Sequence, residues 1–195
     1  MEVIAAIVIV VCLLIGVPLY QRRRKAACIV APRFATLNLK GAEGEALIQV
    51  DTRVLEPIFG VAEQSRFLPP KCDVLFLYSD ISPDGRIESS RMSLGDLVKA
   101  SGATILVVAS DNPGPAYVAG NKTGNYGRVN LVMTLARRGD LFPRFFVRLF
   151  EDMMRGTSMP VAWVRLAPQG PQAESAEFPS TIFACMAGQV SFRPK

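Results

Sequence analysis

Two apolar runs joined by a short segment with helix signals constrain the fold of this chain more than any other feature. "DVLFLY" (73–78) and "ATILVVAS" (103–110) are continuous and rich in β-branched or large apolar residues, which is typical of strands buried on both faces. Between them, "SLGDLVKASG" offers Ser93 as an N-cap, an apolar stripe and Gly102 as a stop. A strand, helix and strand with short connections form a βαβ unit with parallel strands. We therefore predict an α/β domain with a mostly parallel sheet.

The chain after this unit continues the alternation. Residues 128–139 fit either a strand or a short helix, and "DLFPRFFVRLFEDMMRG" predicts a helix with a wide apolar stripe that ends at Gly156. "TSMPVAWVRLAPQ" predicts a second helix capped by Ser158, and "STIFACMA" and "QVSFR" read as two closing strands. Residues 26–70 are predicted to be an irregular connection with short strands such as "CIVAP" and "ALIQV".

The N-terminus carries an uncharged apolar segment. Val3 to Tyr20 is 18 residues long, just within the range of about 17–25 residues that crosses a bilayer core. A cleaved signal peptide has basic residues before its apolar run, whereas Glu2 precedes this one. A lipoprotein signal at Cys12 is disfavoured because Val11 stands where a small residue is required. We predict an uncleaved single-pass anchor with Tyr20 at the interface.

A basic block follows the apolar segment and predicts its orientation. Arg22, Arg23, Arg24 and Lys25 favour a cytoplasmic location for everything C-terminal of them, and they suit contact with lipid headgroups. The predicted organisation is thus an anchor with its juxtamembrane segment (1–25), a connecting segment with short strands (26–70) and an α/β domain (71–195). These four cations account for most of the formal charge of +5. Without a second basic cluster interleaved with aromatics, we expect no nucleic-acid partner.

Histidine is absent from the chain, and this absence excludes several chemistries. It removes Ser-His and Cys-His dyads, histidine-ligated metals and the commonest general base at neutral pH. The cysteines lack the close spacing of zinc or redox motifs, and we expect reduced, packed thiols at Cys28, Cys72 and Cys185, with Cys12 inside the predicted anchor. No cofactor is expected.

Acidic residues follow both strands of the βαβ unit. Because parallel strands end at the same edge of a sheet, Asp80 and Asp111 are predicted to face one crevice. One interpretation is a carboxylate pair that holds Mg²⁺ or shares a proton. The other interpretation, which we favour, is that each aspartate starts an ordinary turn and bonds its own backbone.

The segment "GPAYVAGNKTGNYG" after the second strand is predicted to be a long surface loop. Its glycine spacing differs from that of a phosphate-binding loop, and no helix is expected to follow it. Long loops in compact domains are often functional. We predict partner contacts from Tyr117, Asn121, Lys122 and Tyr126.

The aromatic residues of 140–156 are predicted mainly to pack against the sheet. The alternative is a partner surface, with Trp163 as an interface anchor. Phe142, Arg144, Arg148 and Arg155 are expected on the opposite face of the helix, where they are placed to dock on a larger complex or on headgroups.

The order of these pieces resembles the CHAT domain of the caspase-like peptidase clan. The likeness spans about Cys72 to Leu166, and "DGRI" and "RGTSMPVAW" carry most of it. The resemblance implies a three-layer caspase-like α/β sandwich with a largely parallel sheet. It also places Asp80 where the family has its catalytic histidine and Asp111 where it has its nucleophilic cysteine.

An aspartate pair cannot form a thiolate and imidazolium couple, and neither Ser79 nor Ser110 has a base to activate it. The resemblance therefore implies a domain without cysteine peptidase activity. We expect a membrane-anchored interaction module, such as an accessory subunit of a membrane complex or a signalling adaptor. The alternatives are a tethered hydrolase or Mg²⁺-dependent phosphotransfer enzyme that uses Asp80 and Asp111, or a domain that binds a small ligand without transforming it.

Overall fold

The computed structural model describes residues 27–60, 62–123, 128–167 and 178–195, with no side-chain description for residues 120–123. No helix within these ranges is long and apolar enough to cross a membrane. The predicted anchor Val3–Tyr20 and the following Arg22, Arg23, Arg24 and Lys25 lie outside the described residues. So do Tyr126 and the side chains of Asn121 and Lys122.

The described residues contain eight strands. The strands are β1 (Ala27–Val30), β2 (Phe34–Asn38), β3 (Glu63–Ser65), β4 (Val74–Tyr78), β5 (Ile105–Val108), β6 (Asn130–Ala136), β7 (Ser180–Cys185) and β8 (Val190–Arg193). Six of them form one sheet in the order β3-β2-β4-β5-β6-β7, and β1 pairs with β8 in a separate parallel ribbon. Within the large sheet every pair is parallel except β6 with β7. The predicted mostly parallel α/β sheet is confirmed.

Five helices cover the two faces of the sheet within the described ranges. They are α1 (Ala42–Phe59), α2 (Leu94–Ser101), α3 (Gly114–Thr123), α4 (Leu141–Met154) and α5 (Met159–Leu166). Alternation along the strands divides the core in two, because successive side chains point to opposite faces. Phe76 and Tyr78 belong to the core that α1, α4 and α5 share, whereas Leu75 and Leu77 belong to the core under α2 and α3. The domain therefore has three layers: helices, sheet and helices.

The local signals of the βαβ unit produce the predicted structure. The Ser93 hydroxyl accepts a hydrogen bond from the Asp96 amide (3.1 Å), and Gly102 ends α2 in the left-handed conformation at φ 74°. β4 and β5 pair in parallel. The helices predicted around residues 141–154 and 159–166 are also present, and residues 130–136 form a strand. Helix caps and the spacing of apolar residues involve residues that are close together in the chain, so both can be recognised in the sequence.

The segment 26–70, predicted to be a connecting segment with short strands, supplies β2, a fully buried strand between β3 and β4. It also supplies α1, so the prediction of a strand at "ALIQV" is wrong. Ile48, Thr52 and Leu55 are buried at helical spacing on the face of α1 that covers the sheet. A five-residue window is too short to separate this period from that of a strand.

Two predictions after β5 also need correction. The long loop expected at residues 114–127 begins instead with α3, whose first turn contains Pro115. Phe142, expected on the exposed face of α4, is fully buried, and its ring lies 4.7 Å from that of Phe146. The i and i+4 positions of Phe142 and Phe146 place both rings on the sheet side, together with Phe150.

The three cysteines within the described residues are free thiols, but only Cys72 is packed as predicted. Cys28 and Cys185 are exposed. Burial raises the pKa of the Cys72 thiol from 9.0 to about 12, and the nearby Asp73 charge adds to this effect.

The raised Cys72 pKa predicts an alkaline loss of stability. The unfolded chain ionises this thiol from 9.0 upward while the folded chain does so at about 12, so stability is complete below 9.0 and falls through that interval. Between pH 8 and pH 10 we expect a loss of about 1 kcal/mol that Cys72→Val removes. Thermal unfolding of both proteins across this range measures it. An identical pH dependence of wild type and Cys72→Val would contradict the assignment.

Candidate functional site

The carboxyl ends of β2, β4, β5 and β6 form one edge of the sheet, here called the carboxyl edge. After β2 the chain passes into α1 on one face, and after β4 it passes into α2 on the other face. Adjacent parallel strands whose connections leave to opposite faces create a crevice, which is where open α/β sheets bind ligands. The expected position of a ligand site is therefore the carboxyl edge between β2 and β4.

Asp80 lies at this switch point and is held by a lysine from the loop after β2. Its Oδ1 is 2.9 Å from Lys40 Nζ, which also lies 3.1 Å from Glu43 Oε1 in the first turn of α1. Burial by itself lowers the pKa of Lys40, but the hydrogen bonds and charges of Asp80 and Glu43 outweigh it and raise that pKa. Lys40 therefore remains protonated, and its ammonium group forms ion pairs with both Asp80 and Glu43.

Asp111 serves a different strand end. Its Oδ1 accepts a hydrogen bond from the backbone amide of Arg137, which follows β6 (2.8 Å). The carboxylate therefore fixes the chain as it leaves β6 for α4. The interpretation that Asp111 bonds its own backbone in an ordinary turn is wrong, because the bonded amide lies 26 residues further along the chain.

Asn112 joins the loops that follow β4 and β5. Its Oδ1 accepts from the Ile81 amide (2.7 Å), and its Nδ2 donates to the Ser110 carbonyl (3.0 Å). The side chain is only 3% exposed, so these bonds are shielded from water. Nothing in the sequence indicated this role for Asn112, because Ile81 lies 31 residues away in the chain.

The serines beside the two aspartates are buried. Ser79 is 1% exposed and Ser110 is 0% exposed, and the Ser110 hydroxyl has no hydrogen-bond partner within the described residues. The strand-end hydroxyls are therefore closed off from solvent. A nucleophile needs both access to a substrate and an activating base, and neither serine has such access.

The "SPDG" segment after Ile81 forms a tight turn. The Gly85 amide donates to the Ser82 carbonyl (2.8 Å), and Gly85 adopts φ 78°. Ser82 also donates a short hydrogen bond to the Asp84 carboxylate, which lowers the pKa of Asp84. The turn returns the chain so that Ile81 and Ile87 pair in an isolated bridge. Part of the "DGRI" motif is thus accounted for by turn chemistry.

A buried charged network lies beneath the carboxyl edge, on the side of α1 and α4. Asp51 of α1 accepts from the Tyr78 hydroxyl (2.6 Å) and from Arg137 Nη2 (2.7 Å). Arg137 Nη1 also donates to the Ala109 carbonyl (2.6 Å), and its guanidinium lies 3.9 Å above the Phe142 ring. One arginine therefore connects the ends of β4, β5 and β6 with two helices.

Burial dominates the titration of this network. It raises the pKa of Asp51, against the opposing hydrogen bonds from Arg137 and Tyr78. It also raises the pKa of Tyr78, and the neighbouring Asp51 charge adds to that effect. Sequence analysis did not identify this network, because Asp51 and Arg137 are 86 residues apart and neither belongs to a motif.

An open cavity of about 890 Å³ lies beside the switch point. Its walls come from the end of β2, the first turns of α1, the chain after β3 and the loop before α2. The lining residues are Asn38, Leu39, Gly41, Ala42, Glu45, Ala46, Gln49, Arg66, Phe67, Ser89 and Ser90. Glu45 pairs with Arg66 across it at 3.1 Å. Sequence analysis predicted a crevice at this edge but placed no wall residue from 38–67 in it.

Phe67, which lines this cavity, and the next residue in the chain, Leu68, form an exposed apolar pair, here called the rim. Phe67 is 86% exposed and Leu68 is 76% exposed, the highest values among the large apolar residues described as exposed. Such a pair at the mouth of a concave site is typical of a contact surface for another molecule.

Two residues considered as partner contacts, Tyr117 and Trp163, pack against the core of the domain. Tyr117 is partly buried and packs against the core under α2 and α3. Within the described ranges, no group of three or more acidic, cysteine or histidine side chains is arranged to hold a metal ion. Trp163 packs against Phe145 and Phe183, with ring centroids 5.0 and 4.7 Å apart.

Comparison with models of known protein families finds no match to this chain. A comparison with curated protein sequences finds no match either. The functional assignment therefore depends on the chemistry of the residues themselves.

Proposed function

We propose that this chain is a membrane-anchored, non-catalytic interaction module with a caspase-like fold. In this proposal it serves as an accessory subunit of a membrane complex or as a signalling adaptor. The apolar segment Val3–Tyr20 and the basic block after it support the anchor. The three-layer domain with its largely parallel sheet agrees with the fold that the resemblance implies.

One observation carries the non-catalytic part of the proposal. At the two positions that the resemblance aligns with the peptidase dyad, Asp80 is paired with Lys40 and Asp111 accepts a hydrogen bond from the Arg137 amide. Both carboxylates therefore bind other residues of the carboxyl edge. Because the chain has no histidine, the edge lacks the side chain whose ordinary pKa lies closest to 7 and which most often serves as a general base.

The cavity and its rim supply the interaction surface. Phe67 and Leu68 present adjacent apolar side chains beside the Glu45–Arg66 ion pair. An apolar anchor surrounded by polar groups is the usual composition of a protein contact site. The preferred occupant is an apolar side chain of a partner protein, with the ion pair at the margin.

Partner recovery tests this proposal. Full-length tagged chain is extracted from its native membranes in mild detergent, and the proteins recovered with it are quantified. Phe67→Asp with Leu68→Asp should lower recovery of a stoichiometric partner at least about tenfold, equivalent to about 1.4 kcal/mol. Both side chains are largely exposed, so folding should be unaffected within about 0.5 kcal/mol.

The matched control is Val161→Asp with Val164→Asp, which changes two exposed apolar residues of α5. It should leave partner recovery unchanged. Equal recovery from all three proteins, or a wild-type chain that is recovered alone and monodisperse, would overturn the interaction surface.

The rival is a tethered hydrolase or Mg²⁺-dependent phosphotransfer enzyme that uses Asp80 and Asp111. Asp80→Asn and Asp111→Asn distinguish it. A turnover activity that wild type shows with Mg²⁺, and that either variant loses while remaining folded, would favour the enzyme. Partner recovery that survives both substitutions agrees with the module.

A further inference from the structure

The chain enters the described fold at the amino ends of the strands, opposite the carboxyl edge. The Ala27 amide donates to the Gln189 carbonyl (2.8 Å). The adjacent Gly188 carbonyl accepts from Asn130 Nδ2 (3.2 Å), and Asn130 is the first residue of β6. Ala27 therefore lies beside the amino end of β6.

From there the β1–β8 ribbon passes along the starts of the other strands. At its far end the Ala31 amide donates to the Arg193 carbonyl, and the Arg33 carbonyl accepts from the amides of Asp73 and Val74, at the start of β4. β2 itself begins at Phe34. We call this side, formed by the ribbon and the starts of β2, β4, β5 and β6, the amino edge.

Four exposed basic side chains lie on the amino edge, where the acidic residues are Asp73 and, at the start of neighbouring β3, Glu63. Arg33, Lys71 and Arg128 are exposed just before β2, β4 and β6, and Arg193 is exposed at the end of β8. Arg33 is paired with Asp73 (3.5 Å). Lys71 and Arg193 have no carboxylate partner among the described residues. A surface with unpaired cations attracts anionic headgroups, by about 1 kcal/mol for each Lys or Arg close to the membrane.

The length of chain before Ala27 limits how the domain can lie. Residues 21–26 separate Tyr20, the end of the predicted span, from Ala27, which makes seven Cα–Cα steps. Even fully extended they reach about 25 Å, and part of that length lies within a headgroup layer of roughly 5–7 Å. β2 and β4 are about 17 Å long and β6 is about 23 Å long, before the carboxyl-edge loops are added. The tether is too short to turn the carboxyl edge towards the bilayer.

We propose that the amino edge is a docking surface for anionic lipid headgroups, so that the cavity at the carboxyl edge faces away from the membrane. This inference rests on the anchor in the proposed function. It goes further in assigning a lipid-facing side and in leaving the Phe67 and Leu68 rim open to partners in the aqueous phase. Charge complementarity and tether length favour lipid over a protein occupant of the amino edge.

Two native thiols report on this edge. Cys28 is in β1, and Cys185 pairs in register with Asn130 at the start of β6; both are exposed. Ser89, exposed at the cavity, provides a reporter on the opposite edge as Ser89→Cys. Full-length chain is placed in nanodiscs of phosphatidylcholine alone or with phosphatidylserine. The labelling rate of each thiol by a bulky, water-soluble maleimide is then measured by peptide mass spectrometry.

Cys28 and Cys185 should label at least about fivefold more slowly in the phosphatidylserine discs, because two unpaired cations hold the edge against anionic lipid. Ser89→Cys should label equally in both discs. Lys71→Glu with Arg193→Glu should abolish the slowing. Arg53→Glu with Arg91→Glu, an equal charge change at two exposed residues outside the amino edge, should preserve it.

Equal labelling of Cys28 in the two kinds of disc would overturn lipid docking. Slow labelling in native membranes together with fast labelling in both discs would show that a protein covers the edge, which also overturns it. A chain that elutes without discs on gel filtration would refute the anchor, and with it the proposed membrane function. Retention of the chain on the discs without the slowing would refute the lipid-facing edge alone.

Discussion

Arg137→Met is expected to lower the free energy of unfolding by about 3–5 kcal/mol, the range typical of removing one partner from a buried ion pair. The arginine side chain is 9% exposed, and that of its partner Asp51 is 0% exposed. Without the guanidinium, the Asp51 carboxylate keeps only the Tyr78 hydroxyl as a described hydrogen-bond donor. The Ala109 carbonyl also loses the bond from Nη1.

The loss should depend on pH in a defined direction. Burial already raises the pKa of Asp51, and removing the opposing Arg137 charge raises it further. A carboxyl with a raised folded-state pKa stabilises the fold below its unfolded value of 3.8 and loses that contribution as pH rises through the folded pKa. The loss in the free energy of unfolding caused by Arg137→Met should therefore be smaller at acidic than at neutral pH.

Thermal and denaturant unfolding of the full-length chain in detergent, followed by near-UV circular dichroism, measures this effect. The control is Arg144→Met, an exposed α4 arginine without an ion pair among the described residues, which should change stability by less than about 0.5 kcal/mol. Asp51→Asn combined with Arg137→Met should be less destabilised than the sum of the single changes. Full additivity would show that the two side chains do not act as a pair.

Gly44→Ala is expected to lower stability by about 1–3 kcal/mol, the usual cost of overpacking a close contact. Propensity alone predicts the opposite, because alanine favours a helix by about 1 kcal/mol over glycine. A Cβ at Gly44 would stand 2.2 Å from Asn38 Oδ1 and 2.9 Å from Asn38 Cγ. Asn38 is only 6% exposed and receives a hydrogen bond from the Lys40 amide (3.0 Å), so it has little freedom to move.

The Gly44→Ala change should also alter the site. Asn38 lines the cavity and shapes the loop that presents Lys40 to Asp80. Gly114→Ala is the matched control, since a Cβ there meets no atom within 4 Å. It should be neutral or up to about 1 kcal/mol stabilising. Melting temperatures of the two variants that rise together would contradict the proposed close contact.

Local signals explain which elements could be predicted from the sequence. Ser93 and Gly102 bound α2, and the apolar run of β4 shows that both of its faces are covered. α1 was missed because its start at Gly41 has no side-chain cap and its buried stripe includes Asp51 and Thr52. Polar residues on a buried face disguise the helical period, and the burial of the Asp51 charge is compensated by Tyr78 and Arg137 from other elements.

The candidate site could be located but not assembled from the sequence. Parallel strands bring their ends to one edge, so Asp80 and Asp111 lie at that edge as neighbours of β4 and β5, but neither lines the cavity that opens there. Their partners could not be inferred, because Lys40 and the Arg137 amide come from connections after other strands. Lengths and conformations of those connections decide which groups meet, and no periodicity encodes them.

The sequence by itself determined the class of sheet, the apolar segment before the domain and the absence of an imidazole, since each follows from residue type and short-range order. Only the tertiary structure decided that Asp51, Tyr78 and Arg137 share one buried network, that the cavity opens beside α1, and that the chain enters at the opposite edge. Those outcomes depend on contacts between residues far apart in the chain, which form only when the sheet order brings their elements together.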